Sequence, residues 1–137
     1  MRRWQRRFLI AGLVIVAMIG LGVGVLRHES YSASPTAERA AVKATTSDWG
    51  LYFRPARVKG PTVIFYPGAL VAPASYSIWA KQVAAAGYPV AIVRFPLDLA
   101  VLASNAAQRV PVDRYGYVIG GHSLGGVMAS RYAVAHP

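Results

Sequence analysis

Residues 117–132 read Tyr-Val-Ile-Gly-Gly-His-Ser-Leu-Gly-Gly-Val-Met-Ala-Ser-Arg-Tyr, and Ser123 stands in them between Gly121 and Gly125. Apolar Tyr117–Ile119 leads into the glycines, and a helix-forming run, Leu124–Ala135, leads out. A strand that turns straight into a helix must reverse sharply. The serine at the bend is then expected at positive φ, a strained state for a residue with a Cβ. Its neighbours at minus two and plus two pass close to the turn, so they need to lack side chains. The helix that follows aims its positive end at the same spot. A glycine-rich loop without chemistry is the plainer reading of Gly-x-Ser-x-Gly. The strand before it, the helix after it and two earlier strand–helix units favour a nucleophile elbow instead. A phosphate loop is excluded by the missing Gly-Lys-Ser/Thr, and the glycines do not have the spacing of a dinucleotide fingerprint.

Working back from the serine, the same alternation recurs. Leu97–Val110 is predicted as a helix stopped by Pro111, and Pro89–Phe95 as a buried strand. Tyr76–Ala86 has helical composition, with Gly87 where a C-cap glycine belongs. Thr62–Tyr66 is a continuous run of β-branched and aromatic residues, and Trp49–Phe53 reads as a short strand ended by Pro55. Strands apolar on both faces, alternating with helices, predict an α/β fold: a parallel sheet with flanking helices on both sides.

The front of the chain belongs to no soluble core. Phe8–Leu26 carries no charge, and its 19 residues span about 28 Å as a helix, close to the hydrocarbon thickness of a bilayer. The run is longer than the 7–15 apolar residues typical of a cleaved signal peptide, and Ser32-Ala33-Ser34 is a poor cleavage site. It reads as an uncleaved signal anchor. Arg2, Arg3, Arg6 and Arg7 precede it, so the N-terminus is expected in the cytoplasm and the C-terminal domain outside it. The expected organisation is a basic flank at 1–7, a transmembrane segment at 8–26, a polar linker at 27–47 with a short helix near Ala37–Ala44, and a catalytic-type domain at 48–137. Of the net charge of +10, four units lie in that flank, and the rest is scattered without interleaved aromatics. Nucleic acid is therefore not an expected partner. With no cysteine there is no disulfide framework, and no histidine or carboxylate cluster has metal-ligand spacing. Neither a metal nor an organic cofactor is expected.

The stretches TVIFYPGALVAPASYSIWAKQVAAAGYPVAIVRFPLDLAVLASNAAQRV and YVIGGHSLGGVMASRYAVAHP resemble the α/β-hydrolase superfamily, and within it the fold-5, dienelactone-hydrolase-like type. The resemblance covers about Trp49 to Pro137, with Pro67-Gly68 standing where many relatives have His-Gly. It implies serine-based hydrolysis of esters or similar acyl bonds, on a small or lipid-like acyl substrate. Ser123 matches the nucleophile and Gly121 and Gly125 the elbow glycines. The amides of Ala69 and Leu124 match the oxyanion-hole donors, with Leu70 as the alternative to Ala69.

A triad also needs a base and an acid, and in this family they follow the serine. Glu29, Glu38, Asp48, Asp98 and Asp113 all precede it. Asp98 reads as a helix N-cap, Asp113 as part of a turn, and His122 as a packing residue under the sheet. His136 lies thirteen residues on, about 20 Å along a helix. The expectation is therefore an N-terminal fragment, cut short after the nucleophile helix and inactive alone. An anchored, non-catalytic remnant or binding module is the competing reading, and an acyltransferase would use the same residues.

Overall fold

The computed structural model describes residues 3–137, which divide between Ser30 and Tyr31 into two compact units. The first is one helix, α1 (Arg3–His28), 26 residues long with no buried side chain. Its apolar residues are exposed on every side, Leu13 at 70 % and Val16 at 67 % among them. It is long and apolar enough to cross a membrane. An apolar surface that runs all round a helix requires a cover of lipid or protein.

The second unit is a five-stranded sheet with helices on both faces. Its elements are α2 (Pro35–Ala41), β1 (Thr45–Ser47), β2 (Gly50–Phe53), β3 (Thr62–Tyr66), α3 (Ser77–Ala85), β4 (Val90–Val93), β5 (Tyr117–Gly121) and α4 (Leu124–Ala135). The strand order is β1-β2-β4-β3-β5. β4, β3 and β5 are parallel, as expected, with Val63 beside Val90 and Thr62 beside Tyr117. β1 and β2 are antiparallel additions, so the sheet is mixed rather than parallel throughout. The reason is the connection. Only Asp48 and Trp49 join β1 to β2, and so short a link can close only an antiparallel pair. The stretch 27–47 is correspondingly more ordered than its polar composition predicts, since it contains α2, capped by the Ser34 hydroxyl on the Ala37 amide, and β1.

β4 is buried at all four positions, because both its faces are covered. Val90 and Ile92 pack with Leu51, Phe53, Ala80 and Ala84 beneath α3. Ala91 and Val93 pack on the other face with Ile64, Tyr66, Phe95, Ala129 and Tyr132, beneath α4.

The expected helix over Leu97–Val110 does not form. Three short 3-10 turns stand there, Pro96–Asp98, Ala100–Leu102 and Ala106–Arg109. The buried Tyr66 side chain explains much of this. Its hydroxyl donates to the Ser104 carbonyl at 2.8 Å and accepts from the Ala107 amide at 2.9 Å. Both are backbone groups that a continuous helix would have paired within itself. Leu97 and Asp98, at φ 52° and 53°, also leave the helical region.

Candidate active site

The parallel strands carry the candidate residues to their C-terminal ends, where open α/β sheets present ligand sites. Ser123 follows β5 and immediately precedes α4, at φ 50° and ψ −123°. Four non-glycine residues among those described have positive φ: Leu70, Leu97, Asp98 and Ser123. Three of the four lie on the loops after β3 and β4, which one hydrogen bond joins: the Leu70 amide donates to the Asp98 carbonyl at 2.8 Å. Each such residue costs on the order of 1–3 kcal/mol, and such strain concentrates at functional sites.

The glycines flanking the serine are fixed by contact. A Cβ on Gly125 would stand 2.2 Å from the carbonyl oxygens of both Tyr66 and Pro67. On Gly121 it would meet the Tyr66 oxygen at 2.6 Å. β3 and the start of α4 therefore touch backbone to backbone, and the His122 amide closes the junction by donating to the Tyr66 carbonyl at 3.0 Å.

The loop after β3 runs beside the elbow. Val71 donates to the Gly68 carbonyl at 3.2 Å, closing a turn with Ala69 and Leu70 at its centre. Among the described residues, neither the Ala69 nor the Leu124 amide has a hydrogen-bond partner. Leu70 is not available as the alternative donor, because its N–H is held by Asp98. The Gly68 amide is likewise taken, donating to the Tyr76 hydroxyl at 3.0 Å.

His122 departs from expectation. It is exposed instead of lying under the sheet, and its Nδ1 is 3.1 Å from the Tyr76 hydroxyl. A Cβ on Gly68 would collide with that nitrogen at 2.7 Å, so ring and loop are closely apposed. Tyr76 is the residue sequence reasoning missed. It ends a 3-10 turn (Pro73–Tyr76) at the head of α3, and its hydroxyl ties the loop to the elbow. Nothing in its local sequence marks it beyond that position.

The Ser123 side chain is exposed, and among the described residues nothing hydrogen-bonds its hydroxyl. His136 sits at the far end of α4, stacked on Tyr132 with Nε2 3.0 Å from the Gln108 amide nitrogen. Asp98 caps no helix. Burial pushes its carboxyl above the ordinary range, an effect the Arg94 guanidinium partly offsets. Asp113 accepts the Tyr115 amide in the turn before β5. Among the described residues no three metal-binding side chains come together. A hollow of about 810 Å³ lined by Arg57, Lys59, Asp113 and Arg114 lies at the opposite, N-terminal end of the strands.

A mixed α/β sheet whose parallel strands lead to a strained serine between contact-fixed glycines is the arrangement of a class of hydrolytic enzyme folds. Residues 62–137 match the alpha/beta hydrolase family, and the chain belongs to that family, with the hydrolase-type function it carries. Neither the curated proteins nor the solved structures contain a match to the chain.

Proposed function

We propose that this chain carries the nucleophile and oxyanion hole of a serine hydrolase of the dienelactone-hydrolase-like kind, acting on ester or similar acyl bonds. Residues 48–137 form its hydrolase domain, and residues 8–26 hold it to a membrane with the domain on the extracytoplasmic side. In this reading the Ser123 oxygen attacks the acyl carbon. The carbonyl electrons move onto oxygen, and that oxyanion accepts hydrogen bonds from the Ala69 and Leu124 amides. As the oxyanion collapses, the bond from the acyl carbon to the alkoxide breaks, and the alkoxide leaves with the proton that Ser123 gave up; water then attacks the acyl carbon, the acid departs, and a proton of that water returns to the serine oxygen. No described histidine hydrogen-bonds the Ser123 hydroxyl, and the reading requires a base to take the serine proton and an acid to orient that base.

The observation that carries this is the pairing of a left-handed Ser123 with two unpartnered amides. Each such donor is worth about 3 kcal/mol to a developing oxyanion. The test is a fluorophosphonate probe on the intact, folded protein in membranes. Labelling at Ser123, lost in Ser123→Ala, supports the reading. A folded protein that stays unlabelled leaves the anchored non-catalytic module, which the unpartnered serine hydroxyl favours.

A further inference from the structure

Tyr31 is the first residue of the globular unit and lies three positions after His28, the last residue of α1. It is built into the loop of the candidate site. Its amide donates to the Leu70 carbonyl at 2.6 Å, and its carbonyl accepts from the Ala72 amide at 3.0 Å, a parallel bridge with Val71. Leu70 adjoins Ala69, the proposed oxyanion donor. Fully extended, three residues span at most about 11 Å. The segment bonded to this loop also ends in exposed apolar side chains, Val101 at 50 % and Leu102 at 53 %, and Tyr31 is 69 % exposed. Such surface is unfavourable in water and favourable against a bilayer, at about 25 cal/mol per Å². The opposite end of the strands carries Arg57, Lys59 and Arg114.

We propose that the mouth of the site is moored on the bilayer and draws its substrate from the membrane: a long-chain acyl ester of lipid character rather than a soluble ester. The substrate half rests on the serine-hydrolase reading, and the mooring half does not. Three observations converge on it: an all-round apolar helix, a two-residue connection, and a loop whose backbone holds the first residue beyond that connection. A tether meant only to keep the domain near the membrane would not need to enter the site's own loop.

The chain has no cysteine, so one introduced thiol reports from one place. Leu102→Cys on the rim and Arg114→Cys at the far end, each carrying a bimane in the full chain reconstituted in phosphatidylcholine vesicles, are compared for quenching by doxyl-labelled lipid. Leu102 is expected to be quenched several-fold more than Arg114. Inserting a flexible segment of about 18 Gly/Ser residues between Ser30 and Tyr31, some 24 Å of root-mean-square reach, should erase the difference. Equal quenching at the two positions, or release of the chain from vesicles by alkaline extraction, overturns the mooring.

Separately, labelling of Ser123 is timed with a hexadecyl and an ethyl fluorophosphonate in vesicles. The long-chain probe is expected to react about tenfold faster, an advantage the insertion should abolish. Faster labelling by the ethyl probe overturns the substrate half while leaving the hydrolase reading intact. No labelling by either probe, with the rim still quenched, sinks the hydrolase reading and the substrate half with it, and leaves the mooring standing.

Discussion

A side chain at Gly125 would have nowhere to go, since the atoms it would meet are the Tyr66 and Pro67 carbonyl oxygens, which cannot rotate away. Gly120, one residue before the elbow, has open space where its Cβ would stand. The two substitutions therefore separate steric need from glycine's general flexibility. Gly125→Ala is expected to cost about 2–3 kcal/mol or to prevent folding, by forced backbone movement. Gly120→Ala should stay within about 0.5 kcal/mol of the parent. Urea unfolding of the detergent-solubilised chain, followed by tryptophan fluorescence, checks both. Equal effects would mean that the close approach of β3 and α4 does not constrain the elbow. This constraint was legible in the sequence, because a Gly-x-Ser-x-Gly bend between strand and helix implies it. That the Leu70 amide is taken while the Ala69 amide stays unpartnered was not. It depends on the Asp98 carbonyl, 28 positions away in the chain, and no local pattern encodes that pairing.

At the scale of elements, legibility follows how local the determining interactions are. β3 and α4 lie where their apolar runs place them, Thr62–Tyr66 and Leu124–Ala135. Gly87 takes up φ 110° after α3, as its position there suggested. The failures come where distant groups override composition. Residues 97–110 have helical composition, but the Tyr66 hydroxyl takes the backbone groups at Ser104 and Ala107, and three short turns result. Burial pushes the Tyr66 phenol up to about 12 from 10.0. In the unfolded chain that proton leaves near pH 10, whereas the folded chain keeps it until about pH 12. The unfolded state thus binds fewer protons in this window, and stability falls as pH rises through it, by about 2–3 kcal/mol. Tyr66→Phe should lose about 1–3 kcal/mol at pH 7, from two unpaired backbone groups. It should also lose this part of the decline between pH 10 and 12. Denaturant midpoints measured across that range test both, and an unchanged alkaline slope in the variant would show that Tyr66 does not titrate with unfolding.

At the scale of the whole molecule, the charge distribution bears on which side of a membrane the proposed anchor would place the hydrolase unit. The arginines before the apolar run, Arg2, Arg3, Arg6 and Arg7, outweigh Arg27 on its far side, which Glu29 nearly cancels. Positive charge on a short flank stays cytoplasmic, so residues 31–137 should lie outside. A thiol at an exposed site on α4, Arg131→Cys, should then react with a membrane-impermeant maleimide added to intact cells. Replacing the four leading arginines by glutamine while adding two lysines after Glu29 reverses the asymmetry. It should move much of the population to the opposite topology, in which the thiol reacts only after permeabilisation. The absence of native cysteine makes this signal specific. A thiol protected in the parent and exposed in the reversed variant would put the site on the cytoplasmic leaflet. The mooring through Tyr31 would survive that result, because it depends on chain length and not on direction of insertion. The proposed substrate would then have to be a cytoplasmic-leaflet lipid, so in this reading topology sets which pool of acyl esters the serine would meet.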